Sequence, residues 1–431
     1  MKNLSILLLM LVAGIFACSE NKQDTPVDNQ PDLVADSNNG DIQLPENFGA
    51  VVVSDSVGRG RHIAVNENGD MYVRLRRAKN DGGIVLLKDE NGDGKADSDK
   101  YFVTSTGTDI RLYNGYLYYS HKDGIYRIKL ENGELPENWT EETIATFPTQ
   151  ESGHVSKSFT FDNAGNMYVN FGSISNACQE EKRTKGSPGQ DPCPELEVRA
   201  GVWRFSADKL NQTQENDGYR YATGIRNIVG LDWNDQDNTL YVTQHGRDQL
   251  SELWPDSFTD EQRRDLPAEE FLRVNDGDDF GWPYCFYDQF QKKRVTAPEY
   301  GGDGQQSERC EGTKDPLVAF PGHMAPNDLL FYTGDQFPDK YKNGAFIAFH
   351  GSWNRAPFDQ AGFFVVFVPF NNGEPSQDWE VFADGFAGPT PVKQPRDAVA
   401  RPCGLAQGPD GSLYVVDSQK GKVWRIFYKS A

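Results

Sequence analysis

The chain has 431 residues, with 43 Lys and Arg against 64 Asp and Glu, a formal charge of −21. So acidic a protein does not draw its affinity from neutralising a phosphate backbone, which excludes nucleic acid as a partner. With 26 Phe, 18 Tyr and 8 Trp beside 42 Gly and 24 Pro, it is too aromatic for disorder and rich in turn formers, the composition of a large β protein.

Residues 1–17 hold one early charge, Lys2, and an apolar core from Ile6 to Phe16, which reads as an export signal. Cys18, directly after Ile15-Phe16-Ala17, resembles a bacterial lipobox, in which that cysteine is lipidated. The competing reading is an ordinary cleaved signal with an incidental cysteine. Residues 18–47, rich in Asp, Asn, Gln, Ser and Pro, are expected to be a flexible acidic tether, with 48–431 as the folded domain. The expected location is outside the cytoplasm, in the bacterial periplasm or at the cell surface, lipid-anchored to the outer membrane.

From residue 48 onward one unit recurs. Turn residues followed by a short aromatic-rich strand appear as NENGDMYVRL (66–75), RLYNGYLYYS (111–120), DNAGNMYVNF (162–171), NDQDNTLYVT (234–243), YKNGAFIAFH (341–350) and GPDGSLYVVD (408–417). The markers Tyr72, Tyr118, Tyr168, Tyr241, Phe346 and Tyr414 are 46, 50, 73, 105 and 68 residues apart. A four-stranded propeller blade needs roughly 40–50 residues. The spacing therefore predicts an all-β, six-bladed propeller with long inter-strand insertions, whose radial closure leaves only short edges. The one helix expected lies near 259–266. Cys178/Cys193 and Cys285/Cys310 each flank a Gly/Pro/Asp/Gln-rich insertion and are disulfide candidates, with Cys403 left as a buried free thiol.

Propellers concentrate function where loops meet the inner strands around the channel, so the ionisable residues at strand ends are the candidates. Arg61 opens the first unit. DENGDGKADSDK (89–100) sets Asp89, Asn91, Asp93 and Asp97 around Gly94 like the early positions of a calcium loop, but Lys100 stands where a bidentate Glu belongs. His154, ahead of the third unit's strand, suits a general base. Arg226 and Asn227 precede the fourth, and their fork and amide suit a planar carboxylate-bearing ligand. Gly246 and Arg247 run out of that strand. His350, Trp353, Asn354 and Arg355 cluster at another strand end, and Arg401 opens the last unit. Arg61, Arg226, Arg355 and Arg401 together form a positive island in an acidic chain and imply an anionic ligand.

The ordered blocks RHIAV, SGHVSKSFTF with NMYV, GIRNIVGLDW, QHGRD, DDFGWPYC, HMAPNDLLFYTGDQFP, HGSWNR and RPCGLAQGPDGSLYV resemble the bacterial sorbosone dehydrogenase-like family. That family belongs to the soluble sugar dehydrogenases dependent on pyrroloquinoline quinone (PQQ) and is similar to the fungal PQQ-dependent pyranose dehydrogenases. The resemblance runs from about residue 44 to 428. It implies a six-bladed propeller that binds PQQ and Ca2+ at the channel mouth and oxidises a sugar or sugar aldehyde by hydride transfer to the quinone. It assigns His154 as general base. Arg226, Asn227 and Arg401 become cofactor ligands, with Arg61, His350 and Arg355 aligning more loosely. It makes Gly246 and Arg247 the backbone-carbonyl ligands of the catalytic Ca2+. PQQ carries three carboxylates, which matches the arginine island, and a hard cation polarises quinone oxygens. With no haem motif in the chain, electrons are expected to leave to a separate cytochrome or quinone. The rival readings are a non-redox propeller binding carbohydrate or a partner protein, and a lactonase-type hydrolase, which needs a carboxylate-rich mouth.

Overall fold

Alternating apolar residues between Gly/Asn turns fold as antiparallel strands, and the computed structural model arranges them in six radial sheets. It describes residues 33–150 and 152–429. The export signal, Cys18 and the first part of the tether lie outside the described residues. Among those residues, no helix is long and apolar enough to cross a membrane.

The first sheet comprises Gly60–Val65, Met71–Lys79, Gly82–Lys88 and Ser98–Phe102. The second comprises Ile110–Tyr113, Tyr116–His121, Gly124–Lys129 and Glu141–Thr146, with Gln212–Thr213 added in parallel. The third runs Phe159–Phe161, Asn166–Phe171, Gly201–Ser206 and Tyr219–Thr223. The fourth runs Ile228–Asn234, Thr239–Gln244, Glu269–Val274 and Val318–Phe320. The fifth holds Pro326–Phe331, Gly344–Phe349, Phe364–Asn371 and Glu380–Ala383, with Glu374–Pro375 pairing beside them. The sixth joins Pro402–Gln407, Leu413–Asp417 and Val423–Tyr428 to the N-terminal strand Phe48–Ser54, which pairs antiparallel with the last strand and closes the ring.

All six sequence markers fall on the second strand of their sheets, four wholly buried and Tyr168 and Tyr414 only 3% exposed. Their rings and the β-branched residues beside them fill the spaces between neighbouring sheets. The short spacings are bare blades, while the long ones carry the insertions. The disulfide Cys178–Cys193 closes one insertion and Cys285–Cys310 the other, and Cys403 is free and buried. The expected helix is Asp260–Asp265, started by a Thr259/Gln262 capping box.

First strands of neighbouring sheets are tied together by aspartates, of which Asp109 and Asp328 are buried. Asp109 accepts from Phe159 N (2.8 Å), Asp232 from Phe331 N (2.9 Å) and Asp328 from Leu405 N (2.8 Å). His62 places Nδ1 2.8 Å from Asp109 and Nε2 2.8 Å from the Asn327 carbonyl. Both partners only accept, so both nitrogens carry protons, and the two carboxylates beside the ring offset its burial and raise its pKa.

One expectation is corrected here. Residues 33–47 are not a free tether. Ile42 is buried in the core, Gly40 O accepts from Trp424 Nε1 (3.0 Å), and Asp36 accepts from Val52 N (2.8 Å). One isoleucine and a few backbone partners suffice to dock a polar stretch. In the 89–97 loop the acidic side chains hydrogen-bond within the loop itself. Asp89 caps Gly92 N and Gly94 N (both 2.8 Å), while Asp97 accepts from Glu90 N (2.8 Å) and Asn91 Nδ2 (3.1 Å). Among the described residues no three acidic, His or Cys side chains gather as a metal-binding group.

Candidate functional site

Each of the six first strands opens into one cavity of about 550 Å3, within the size range of small-molecule sites. Arg61, Thr108, Lys157, Asn227, Asn327 and Arg401 stand at or just before the starts of those strands. The ends of second strands supply His121, His245 and His350. Trp353, 51% exposed, stands at the rim.

The cavity is cationic. Arg61, Arg76, Lys122, Lys157 and Arg401 line it, and among the described residues no Asp or Glu does. Arg61 is buried, yet its guanidinium has no hydrogen bond or ion pair to a described residue. Arg401 is anchored by His350 O (3.0 Å), His350 Nδ1 (2.8 Å) and Gly351 O (2.6 Å). Burial, with Arg61 and Arg76 nearby, lowers its pKa to about 10. Lys157 is 1% exposed, and its ammonium makes one long hydrogen bond to a described residue, 3.4 Å to Val155 O. Burial, and then Arg199, pushes it down to about 7. Arg61, Lys157 and Arg401, gathered without described counter-charges, repel one another, and an anion in the cavity relieves that repulsion.

Three of the histidines differ in where their lone pair lies. His154 Nδ1 is 2.9 Å from Ser173 O and 2.9 Å from Ser173 Oγ, and that hydroxyl itself donates to Ser175 O (2.7 Å). Both neighbours accept, so Nδ1 carries the proton and Nε2 holds the lone pair. Nε2 has no partner among the described residues. Burial, then Arg226, keeps this imidazole neutral, its pKa well below the ordinary 6.5. Gly172 permits the arrangement, because a Cβ there would lie 2.6 Å from that of His154. His245 is protonated on the other nitrogen, giving Nε2–H to Pro326 O (2.8 Å) while Asn227 Nδ2 approaches Nδ1 (3.3 Å). Burial brings its pKa to about 4. His350 receives Arg401 on Nδ1 and faces Ser418 with Nε2, so its lone pair is covered. Of the three, only His154 offers a free basic nitrogen. His323 hydrogen-bonds Arg263 O (2.9 Å) and lies away from the cavity.

Of the residues singled out from sequence, Arg61, His154, Asn227, His350 and Arg401 meet in the cavity. Arg226 and Arg355 do not. Arg226 is occupied by Asn176 O (3.1 Å), Asn176 Oδ1 (3.0 Å), Gly246 O (2.8 Å) and Asp248 (3.1 Å). Arg355 is held by Asp265 (2.9 Å), Arg264 O (2.9 Å) and Gly322 O (3.0 Å). Gly246 and Arg247 line a separate crevice of about 20 Å3, where Arg247 pairs with buried Glu299. Arg76, Lys157 and His245 join the site without having been singled out. Lys157 and His245 lie in the quoted blocks, at the same strand starts and ends as the residues that were chosen.

The anionic, planar PQQ fits this lining. Arg61, Lys157 and Arg401 have no carboxylate partner among the described residues, and buried Asn227 Oδ1 has no hydrogen-bond partner. The expected calcium ligands fit less well. A divalent cation on Gly246 O has to share that oxygen with the Arg226 guanidinium, and Gly246 does not line the cavity.

A family profile described as TrAA12-like matches residues 42–429. The pyrroloquinoline quinone-dependent pyranose dehydrogenase of Coprinopsis cinerea is 26% identical over 287 residues, covering 56% of this chain and 36% of that enzyme. The holo form of the PQQ domain of Coprinopsis cinerea pyranose dehydrogenase superposes with a TM-score of 0.69 at 19% identity, covering 90% of this chain and 97% of that one. A calcium structure of carbohydrate-active enzyme family AA12 from Trichoderma reesei superposes at 0.72 with 16% identity, covering 93% and 99%. At these identities the structural likeness establishes the shared fold.

Proposed function

From the premise that the chain belongs to the TrAA12-like family, we propose that it is a PQQ-dependent dehydrogenase oxidising a hydroxyl of a sugar or the hydrate of a sugar aldehyde. The observation that carries this is the cavity itself, where Arg61, Arg76, Lys157 and Arg401 gather with no described carboxylate among them beside the neutral His154 imidazole with its free Nε2. The PQQ enzyme and PQQ domain of Coprinopsis cinerea support the cofactor, and the calcium structure from Trichoderma reesei supports a role for Ca2+.

Bound PQQ supplies a two-electron acceptor for the hydride leaving the substrate carbon. The chain's own residues do the rest. Arg61, Arg401 and Lys157 hold carboxylates by charge-assisted pairs in a partly desolvated site. Asn227 Oδ1 accepts from a ligand donor, and its Nδ2 keeps His245 oriented. His154 Nε2 takes the proton of the hydroxyl being oxidised, while Ser173 fixes the tautomer that leaves this nitrogen free. Of the two carbonyls expected to hold Ca2+, that of Gly246 already accepts from Arg226.

The same reading makes the protein exported and lipid-anchored through Cys18, passing electrons to a separate cytochrome or quinone. Titration of the purified protein with PQQ and Ca2+, followed by absorbance, tests the assignment. Stoichiometric binding and reduction of an artificial acceptor with an aldose or ketoaldose are expected. No binding at micromolar PQQ would refute the enzyme and leave a carbohydrate- or protein-binding propeller.

A further inference from the structure

We infer that the chain has a second carbohydrate subsite, which takes the neighbouring ring of an oligosaccharide whose end enters the main cavity; this rests on the sugar-oxidising reading. Between the first and second sheets lies a pocket of about 410 Å3, lined by Val103, Thr104, His121, Tyr126, Trp139 and Glu141 among others. His121 also lines the main cavity, so the two spaces share a wall.

The pocket has the chemistry of a pyranose site. A sugar ring presents apolar C–H faces and a belt of hydroxyls, so it suits aromatic walls with a few directed polar groups. Trp139 and Tyr126 supply the walls, each backed by an inner ring that holds it in place. Trp139 packs edge-on against Phe102 (6.1 Å), and Tyr126 stacks on Tyr119 (6.1 Å). The polar groups are fixed as well. Glu141 accepts the Tyr119 hydroxyl through Oε2, and Oε1 has no partner among the described residues. His121 is oriented by Asp123 at Nδ1, and Nε2 likewise has no described partner.

A third feature is backbone strain. Val103 has φ 53°, the left-handed region that a β-branched residue avoids. Such strain concentrates at ligand-binding positions. The substrate class that follows is an oligosaccharide oxidised at one end, and not a lone monosaccharide.

Calorimetric titration of the full chain, without added cofactor, with cellotetraose, maltotetraose and glucose tests the subsite directly. One tetrasaccharide is expected to bind about tenfold more tightly than glucose or better. Trp139→Ala should abolish that preference. Trp139→Phe, which keeps the packing on Phe102 but narrows the wall, should reduce it by about threefold. Equal weak binding of all three sugars, or a preference that survives both substitutions, overturns the inference. Failure of PQQ to bind overturns the dehydrogenase reading instead and leaves these titrations as they stand.

Discussion

Replacing Lys157 by Met should stabilise the protein, most strongly at low pH. Lys157 lies 1% exposed at the cavity floor, 5.3 Å from the Phe171 ring, with no carboxylate partner among the described residues. Burial lowers its pKa from 10.5 to about 7. At about 1.4 kcal/mol per tenfold, the charged form in the folded protein carries a penalty of roughly 4–5 kcal/mol. The unfolded chain keeps the proton up to about pH 10.5 and the folded chain only to about 7. Between those values the unfolded state binds more protons, so wild-type stability rises with pH. Below pH 7 the whole penalty applies, and above 10.5 none does.

Lys157→Met should therefore exceed wild type by roughly 3–5 kcal/mol at pH 6, with the gap closing by pH 10.5. Urea unfolding at several pH values, followed by tryptophan fluorescence, reads this as a shift in midpoint at unchanged slope. An anionic ligand reverses the penalty, so PQQ binding at pH 8 should take up a proton in wild type and none in the variant. Calorimetry in two buffers of different ionisation heat measures that uptake. A variant no more stable at pH 6, or a gap that ignores pH, refutes the reasoning.

Arg61→Ala and Arg401→Ala should each weaken PQQ binding by ten- to a hundredfold, since charge-assisted bonds contribute about 1.5–3 kcal/mol. Arg226→Ala should instead lower stability by about 1–3 kcal/mol, because the Asn176 and Gly246 carbonyls lose a buried donor while Asp248 keeps Arg183 and Asn354, with any loss of PQQ affinity following from that disorder. His154→Ala should bind PQQ normally and turn over about 10²–10⁴-fold more slowly. As its imidazole stays neutral to well below pH 6.5, the wild-type rate should hold steady from pH 8 down past 6.5, and a fall centred at 6.5 or above would place the base elsewhere. Reducing the two disulfides, which close separations of 15 and 25 residues, should cost about 3 kcal/mol each, read as a lower Tm.

The propeller was legible because its signal is local: each turn and the strand after it are written in about ten residues, and all six markers landed on equivalent strands. The site was legible where position alone decides, at the strand starts of Arg61, Asn227 and Arg401 and the strand end of His350. It was not legible where pairing decides. Arg226 and Arg355 look like ligand arginines until tertiary contact brings Asp248 and Asp265 against them. Lys157 failed in the opposite sense. A lysine at a strand start reads as solvated, and only the fold shows that it is buried without a partner.

The closing strand also bears on how the ring withstands tension. Its register sets Phe48 opposite Tyr428, the ends nearest the outgoing chain, so force between the two outgoing segments would peel that ladder one hydrogen bond at a time. The segment before it alters the load path. Asp36 is bonded to Ala50 O (2.9 Å) and Val52 N (2.8 Å), two and four residues along the strand, and to Lys95 of the first-sheet region (2.8 Å). Gly40 is held by Trp424, and Gln43 pairs with Asp384. A pull arriving through residue 33 therefore meets this clamp before Phe48 and enters the strand at its middle. There it is resisted in shear, with several bonds sharing the load.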